Sequence, residues 1–198
     1  ILDESGATAL GRSAIRRAED LEYMPHYFYP SSLEMRGAMT DTDHVFYLRA
    51  KKITPAENTA ALCCVTLPYF NRRWDHFCSH LQTPPDRRTD IPEVLMAGGS
   101  LIYIAGEIFT CYQKYSSRVL KQVVDSSIRL LLGERLIESD LPSTAEVTLR
   151  KNGFDQYVLT ILNYIPQRRS ENLDIVEEAV PLFNKKVSLL CDHDYKRV

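Results

Sequence analysis

Two apolar runs meet at a glycine pair in Ile91–Phe109, IPEVLMAGGSLIYIAGEIF, and this pattern commits the chain to a sheet. Gly98-Gly99 supplies the positive φ that a tight hairpin needs, so strands are expected on both sides of it. The second run, Leu101–Ala105, is continuous rather than alternating. Continuity of that kind predicts a central strand covered on both faces. Downstream, Val119, Leu120, Val123, Val124, Ser127, Ile128 and Leu131 form an apolar stripe at helical spacing, with Lys121, Gln122, Asp125 and Arg129 opposite. Ser116 or Ser117 can cap this helix, and Gly133 can end it.

Upstream, Ala7, Leu10, Ala14, Ile15 and Ala18 fall near one helical stripe, which predicts a short helical piece over residues 1–22. Residues 23–42 hold aromatics and prolines without a helical period and read as an extended connection. His44–Ile53 reads as a strand, TPAENT as a turn, and AALCCVTLPYF as a mostly buried strand ending at Pro68. Beyond Gly133 the texture changes. Thr144–Arg150 alternates, Asn152-Gly153 turns, and Gln156–Ile165 returns, a strong short-range hairpin signal. DIVEEAVPLFNKKVSLLC adds one or two more strands, and PQRRSEN (Pro166–Asn172) reads as a solvated hairpin tip. The boundary is placed at 139/140, with an α/β part over residues 1–139 and an antiparallel β part over 140–198. About four strands are few for a closed sandwich, so the second part is expected to lean on another surface.

Composition narrows the function. A net charge of -2 gives no basic field for nucleic acid or anionic lipid. No apolar run approaches the roughly 20 residues of a membrane span. The chain starts at Ile1 without a basic-then-apolar leader, which suggests a fragment or processed chain. Five cysteines without framework spacing read as reduced thiols, and hence a cytoplasmic protein.

The chemistry-bearing residues gather in NRRWDHFCSHLQTPPD, Asn71–Asp86, which holds the only Trp and two of the five His. His76 and His80 are four apart with Cys78 between them, a spacing that would share a helix face as zinc ligands do. The helical zinc signature needs Glu directly after the first His, where Phe77 stands. A packed loop anchored by Trp74 and Phe77 is the bland alternative, and no metal is expected. Cys63-Cys64 and Cys111 lack the small flanking residues of a nucleophile elbow and read as buried thiols. MAGGS lies between strands, so it is a turn rather than a phosphate cradle. Asp43, Asp75, Glu107 and Asp140 are candidate carboxylates for glycosidic chemistry, which needs two about 5–10 Å apart. Glu107, at the end of a predicted central strand, stands where ligands approach open α/β sheets. The bland reading of such an acid is a solvated or Arg-paired strand end.

Taken together, LPYFNRRWDHFCSHLQTPPD, GSLIYIAGEIFTCYQKYSSRVLKQVVDSSIRLLL and LPSTAEVTLRKNGFDQYVLTILNYIPQRR resemble the C-terminal half of certain bacterial glycoside hydrolases. These carry a beta-galactosidase-type trimerisation domain behind a catalytic (β/α)₈ barrel. Family 42 beta-galactosidases are the best known; proteins assigned as alpha-L-fucosidases and uncharacterised glycosidases share the layout, and the loop YFNRRWDHFCSHLQTPP looks closer to the latter group. The resemblance spans roughly residues 40–185. It implies a partial flavodoxin-like, class I amidotransferase-like α/β sheet with helices, without the amidotransferase cysteine. A small antiparallel β-sandwich-like domain would follow, both domains being incomplete. It further implies a non-catalytic, oligomer-forming accessory region with no cofactor. Its partners would be copies of itself, as a trimer or other homo-oligomer, and carbohydrate. By that analogy Trp74 would stack on a sugar while His76 and His80 bond its hydroxyls, with Glu107 a further substrate-binding candidate. The alternatives are an amidotransferase-like hydrolase, a metal-dependent hydrolase using His76 and His80, and a stand-alone carbohydrate- or protein-binding module with Tyr69, Phe70 and Trp74 exposed.

Overall fold

The computed structural model describes residues 14–153, 156–168 and 171–190, without the side chains of 167–168. It divides into two compact units, Ile1–Gly133 and Glu134–Val198. The first is built on a five-stranded sheet of order β3-β2-β5-β6-β7. Its strands are β2 (His26–Pro30), β3 (His44–Phe46), β5 (Thr59–Pro68), β6 (Pro85–Ala97) and β7 (Leu101–Ile104). A two-stranded ribbon joins β1 (Ile15–Asp20) to β4 (Lys51–Pro55). Among the described residues this unit also holds α1 (Leu33–Ala38), α2 (Ile108–Tyr115) and α3 (Arg118–Leu132).

Adjacent residues of β6 show how the layers are arranged. Val94 packs with Phe28, Met35, Phe46, Ile108, Leu120 and Val123, so this face carries the helices. Leu95, one residue on, packs with Ile53 and Ala105 on the side of the ribbon. Successive side chains of a strand point to opposite faces, so β6 is dry on both faces over residues 92–95. Burial of rings such as Phe28 and Phe46 contributes about 1.5–3 kcal/mol each relative to exposure.

Every strand pairing among the described residues is antiparallel. A flavodoxin-like sheet is parallel, so that expectation is corrected: the first unit is a β-rich mixed fold. The misreading has a physical cause. An apolar run such as Leu101–Ile104 signals a strand covered on two faces, and an antiparallel sheet between helices and a ribbon produces it equally well. β7 is indeed covered on both: Ile102 and Ile104 meet the helix-side core, Leu101 and Tyr103 the ribbon-side cluster. It is nevertheless the edge strand rather than a central one.

The hairpin between β6 and β7 forms where expected, with Gly98 at φ +55° and Gly99 at +72°. α3 also forms as read, flanked by Ser117 and ended by Gly133 at φ +68°, although the Ser117 hydroxyl makes no cap bond. Ile128 and Leu131 of its expected apolar stripe stay exposed. The N-terminal helical reading is corrected only beyond Ala14, which is itself helical. Residues 1–13 lie outside the described set, and Ile15–Asp20 is a strand that places Glu19 opposite Lys52 and Asp20 opposite Lys51. The expected connection at 23–42 contains β2 and α1, the latter capped by the Ser32 hydroxyl accepting from the Met35 N–H at 3.3 Å. The single strand expected over His44–Ile53 is two, because β3 pairs with β2 while β4 turns to β1.

Among the described residues the second unit shows three two-stranded ribbons. β9 (Ala145–Lys151) and β10 (Tyr157–Asn163) form the hairpin read from Asn152-Gly153. β11 (Gln167–Arg168), inside the expected tip Pro166–Asn172, pairs with β12 (Asp174–Ile175), while residues 169–170 lie outside the described set. β8 (Ile137–Ser139) pairs with β13 (Val187–Leu189), so residues 134–139 belong to this unit and the break falls at 133/134. Among the described residues no helix is long and apolar enough to cross a membrane.

Candidate functional site

The loop from Tyr69 to Pro84 joins β5 to β6, and its own side chains hold it in shape. Pro68 and Pro85 face each other at its root, closed by the Tyr69 N–H donating to the Pro84 carbonyl at 3.1 Å. Thr83 is buried there. Its hydroxyl donates to the Phe70 carbonyl at 2.9 Å, and its own carbonyl accepts from the Tyr27 hydroxyl at 2.8 Å. The Arg72 guanidinium donates to the Leu81 carbonyl at 3.2 Å, spanning the loop. At the tip, Arg73 and His76 exchange backbone bonds of 2.9 and 3.2 Å, which leaves Trp74 and Asp75 as the two residues of a tight turn. The His76 imidazole stacks on the Phe70 ring at 3.8 Å and 14°. This is a compact Ω-like loop packed by its own residues.

Asn71 ties the loop to a distant segment. Its amide donates to the Glu22 carbonyl at 2.7 Å, and its side-chain oxygen accepts from the Met24 N–H at 3.1 Å. Together the two segments enclose an open cleft of about 320 Å³ lined by Glu22, Tyr23, Tyr69, Phe70, Asn71, Arg73, Asp75 and His76. A larger groove, about 570 Å³, runs between α1 and α3 and includes Glu34, Gln122, Asp125 and Arg129. Its polar groups are already engaged in part: Gln122 donates to the Ala38 carbonyl, and Arg129 pairs with Asp125.

The structure separates the residues singled out from sequence. Trp74 sits at the turn tip, 91% exposed, and does not line the cleft. His76 lines it. His80 is exposed on the far limb of the loop, where its carbonyl accepts from the Cys78 thiol. The pair lies in a turn and loop rather than a helix, so the i, i+4 geometry of a helical metal site does not form. Among the described residues no three His, Cys, Asp or Glu are grouped to hold a metal. Glu107 belongs to another region, flanking the N-terminus of α2 with its carbonyl accepting from the Cys111 N–H at 2.9 Å.

The candidate carboxylates do not converge. Asp43 is taken up by the Thr66 hydroxyl at 2.6 Å and by Arg88, whose Nε and Nη2 approach its two oxygens at 3.3 and 3.2 Å. The Arg88 guanidinium also lies 3.4 Å over the Tyr29 ring, and its bonds to Asp43 raise its already high pKa. Asp140 is in the second unit and accepts from the Lys186 N–H. Of the four, only Asp75 lines the cleft. Burial raises the pKa of both the Cys63 and Cys64 thiols, with Glu93 adding to the effect at Cys63, so both are held as the unreactive thiol.

Two groups escaped sequence reasoning. Glu22 and Tyr23 complete the cleft from a segment 49 residues from Asn71, which no local pattern reveals. His26 and Glu93 form a pair inside the core, Nε2 to Oε2 at 3.2 Å, with 0% and 2% exposure. A lone acid inside the apolar run IPEVLMA was the available signal for the latter.

Comparison with known proteins agrees with this geometry only in part. No family model matches the chain, and no curated protein matches it. Among solved structures, alpha-L-fucosidase isoenzyme 2 from Paenibacillus thiaminolyticus is similar, with 29% identity and a TM-score of 0.78 over 86% of this chain. The match covers 26% of the fucosidase, so the chain spans about a quarter of that neighbour's length. The likeness relates the fold of this chain to part of a glycoside hydrolase.

Proposed function

We propose that this chain is a non-catalytic accessory region of a glycoside hydrolase whose sugar chemistry is performed by a separate catalytic domain. The observation that carries the reading is the fucosidase likeness, which extends over most of this chain and a minor part of the fucosidase. The loop between β5 and β6 is the working face. It presents Trp74 on a turn fixed by reciprocal backbone bonds, beside exposed Tyr69 and Phe77. A rigid aromatic of this kind loses little entropy when a partner covers it. Here it helps to wall the sugar pocket of a catalytic domain, on the same or a neighbouring subunit. Self-association is part of the same proposal, and sedimentation of the purified protein tests it.

In the full gene product, Trp74→Ala is expected to raise KM for an aryl α-L-fucoside about 5- to 30-fold, equivalent to 1–2 kcal/mol of lost stacking. kcat should hold, because a wall contact acts on ground and transition states alike. An unchanged KM together with an unchanged oligomeric state would remove the loop from the sugar site.

A further inference from the structure

The cleft at the loop's root has a composition of its own, distinct from the exposed Trp74 at the tip. Glu22 and Asp75 supply two carboxylates, Arg73 a guanidinium and His76 an imidazole, around walls that include Tyr23, Tyr69 and Phe70. No ion pair or side-chain hydrogen bond engages the Glu22 carboxylate, the Asp75 carboxylate or the Arg73 guanidinium among the described residues. All three residues line the cleft and are exposed, so their polar groups are open to a ligand there. The neighbouring Asn71, by contrast, spends its amide on Glu22 and Met24 and acts as the clamp that holds the two walls together.

Chemistry selects the ligand. The carboxylates accept hydrogen bonds, the guanidinium only donates, and the imidazole does either. Such a set suits a molecule that carries donors and acceptors on the same atoms, as hydroxyl groups do. Two acids against one permanent cation disfavour phosphates and other anions. The open Tyr69 ring, 68% exposed, offers an apolar face for a ring's C–H groups. A volume of about 320 Å³ lies at the small end of the ~300–1,000 Å³ typical of small-molecule sites, enough for one ring and too small for an oligosaccharide.

We infer that the cleft formed by Glu22, Tyr23, Tyr69, Arg73, Asp75 and His76 is a binding subsite for a single uncharged sugar ring, complete within one chain. This rests on the glycoside hydrolase reading above and deepens it. The chain would hold a sugar unit itself, rather than only wall a pocket supplied by another domain.

The test is an amide-resolved NMR titration of this chain with methyl α-L-fucoside and methyl β-D-galactoside, with inorganic phosphate as a separate probe. Saturable shifts at Glu22, Tyr69, Arg73, Asp75 and His76 are expected with at least one glycoside, weakened about fivefold or more by Asp75→Asn and by Glu22→Gln. Both side chains are exposed, so these variants should fold, and His80→Ala should bind as the parent does. Three results would each overturn the inference: no localised shift with either glycoside at tens of millimolar, shifts confined to Trp74, or equal shifts with phosphate. If the cleft stays silent while Trp74→Ala still raises KM in the full gene product, the subsite fails and the accessory function stands. If both are silent, both fail.

Discussion

Glu93→Ala is expected to cost the first unit about 3–5 kcal/mol, the usual penalty for removing one partner of a buried pair. Glu93 on β6 meets His26 on β2 inside the core, beside the Phe46 ring. His26 Nε2 has Glu93 Oε2 as its partner at 3.2 Å, and neither His26 Nδ1 nor Glu93 Oε1 has a partner among the described residues. No spare contact can take over, so the imidazole would be left unpaired beside the Phe46 ring, 5.2 Å away. Typical domains hold only ~5–15 kcal/mol in total, so the loss should be visible as a large drop in urea midpoint. The double variant His26→Phe with Glu93→Leu should recover most of it, because apolar replacement of a buried pair is often neutral or better. A single-variant cost below about 1 kcal/mol would show that the pair does not anchor the core.

Gly106→Ala should be the next most damaging change, about 1–3 kcal/mol from overpacking. A Cβ built at Gly106 would stand 2.5 Å from Phe46 Cζ, 2.6 Å from Cε1 and 2.9 Å from Glu93 Oε1. Phe46 is 1% exposed, so its ring can yield only by repacking against its core neighbours. The glycine is demanded by close approach, not by backbone conformation: its neighbourhood is the bridge that pairs it with Ala50. For a chain of this size each kcal/mol shifts Tm by roughly 2–4 °C, so a fall of about 5 °C is expected by calorimetry. Phe46→Leu should relieve the clash, making the double variant more stable than the product of the two single effects implies. Additive losses would mean that the Cβ is accommodated elsewhere.

These two positions also show what a sequence conceals. Nothing local in the sequence marks Gly106, since the ring it must admit is sixty residues upstream. His26 reads as part of an aromatic connection until its partner on β6 is known. Features written locally were legible: the Gly98-Gly99 hairpin, the Asn152-Gly153 hairpin and helix α3 each depend on residues within one turn or one helical period. Strands β1 and β2 were not, because their identity comes from distant partners. Ile15–Asp20 carries more charge than alternation, and only Lys51–Pro55 makes it a strand. The direction of the sheet was misread because dry strands look alike in parallel and antiparallel arrangements. The candidate site divides along the same line. The aromatic–His loop stood out in sequence, but Glu22 and Tyr23 reach the cleft only through the Asn71 clamp. His80 and Glu107, plausible by residue type, are left out of it.

The central claim is that this chain serves a glycoside hydrolase without performing the hydrolysis. The most direct measurement is the intact mass of the native gene product, taken with its turnover of an aryl α-L-fucoside and compared with the 22.7 kDa chain expressed alone. The account predicts a native polypeptide large enough to add a catalytic domain, active on the glycoside, and a 22.7 kDa chain that is folded and inactive. A native protein of 22.7 kDa that cleaves the glycoside unaided would contradict it.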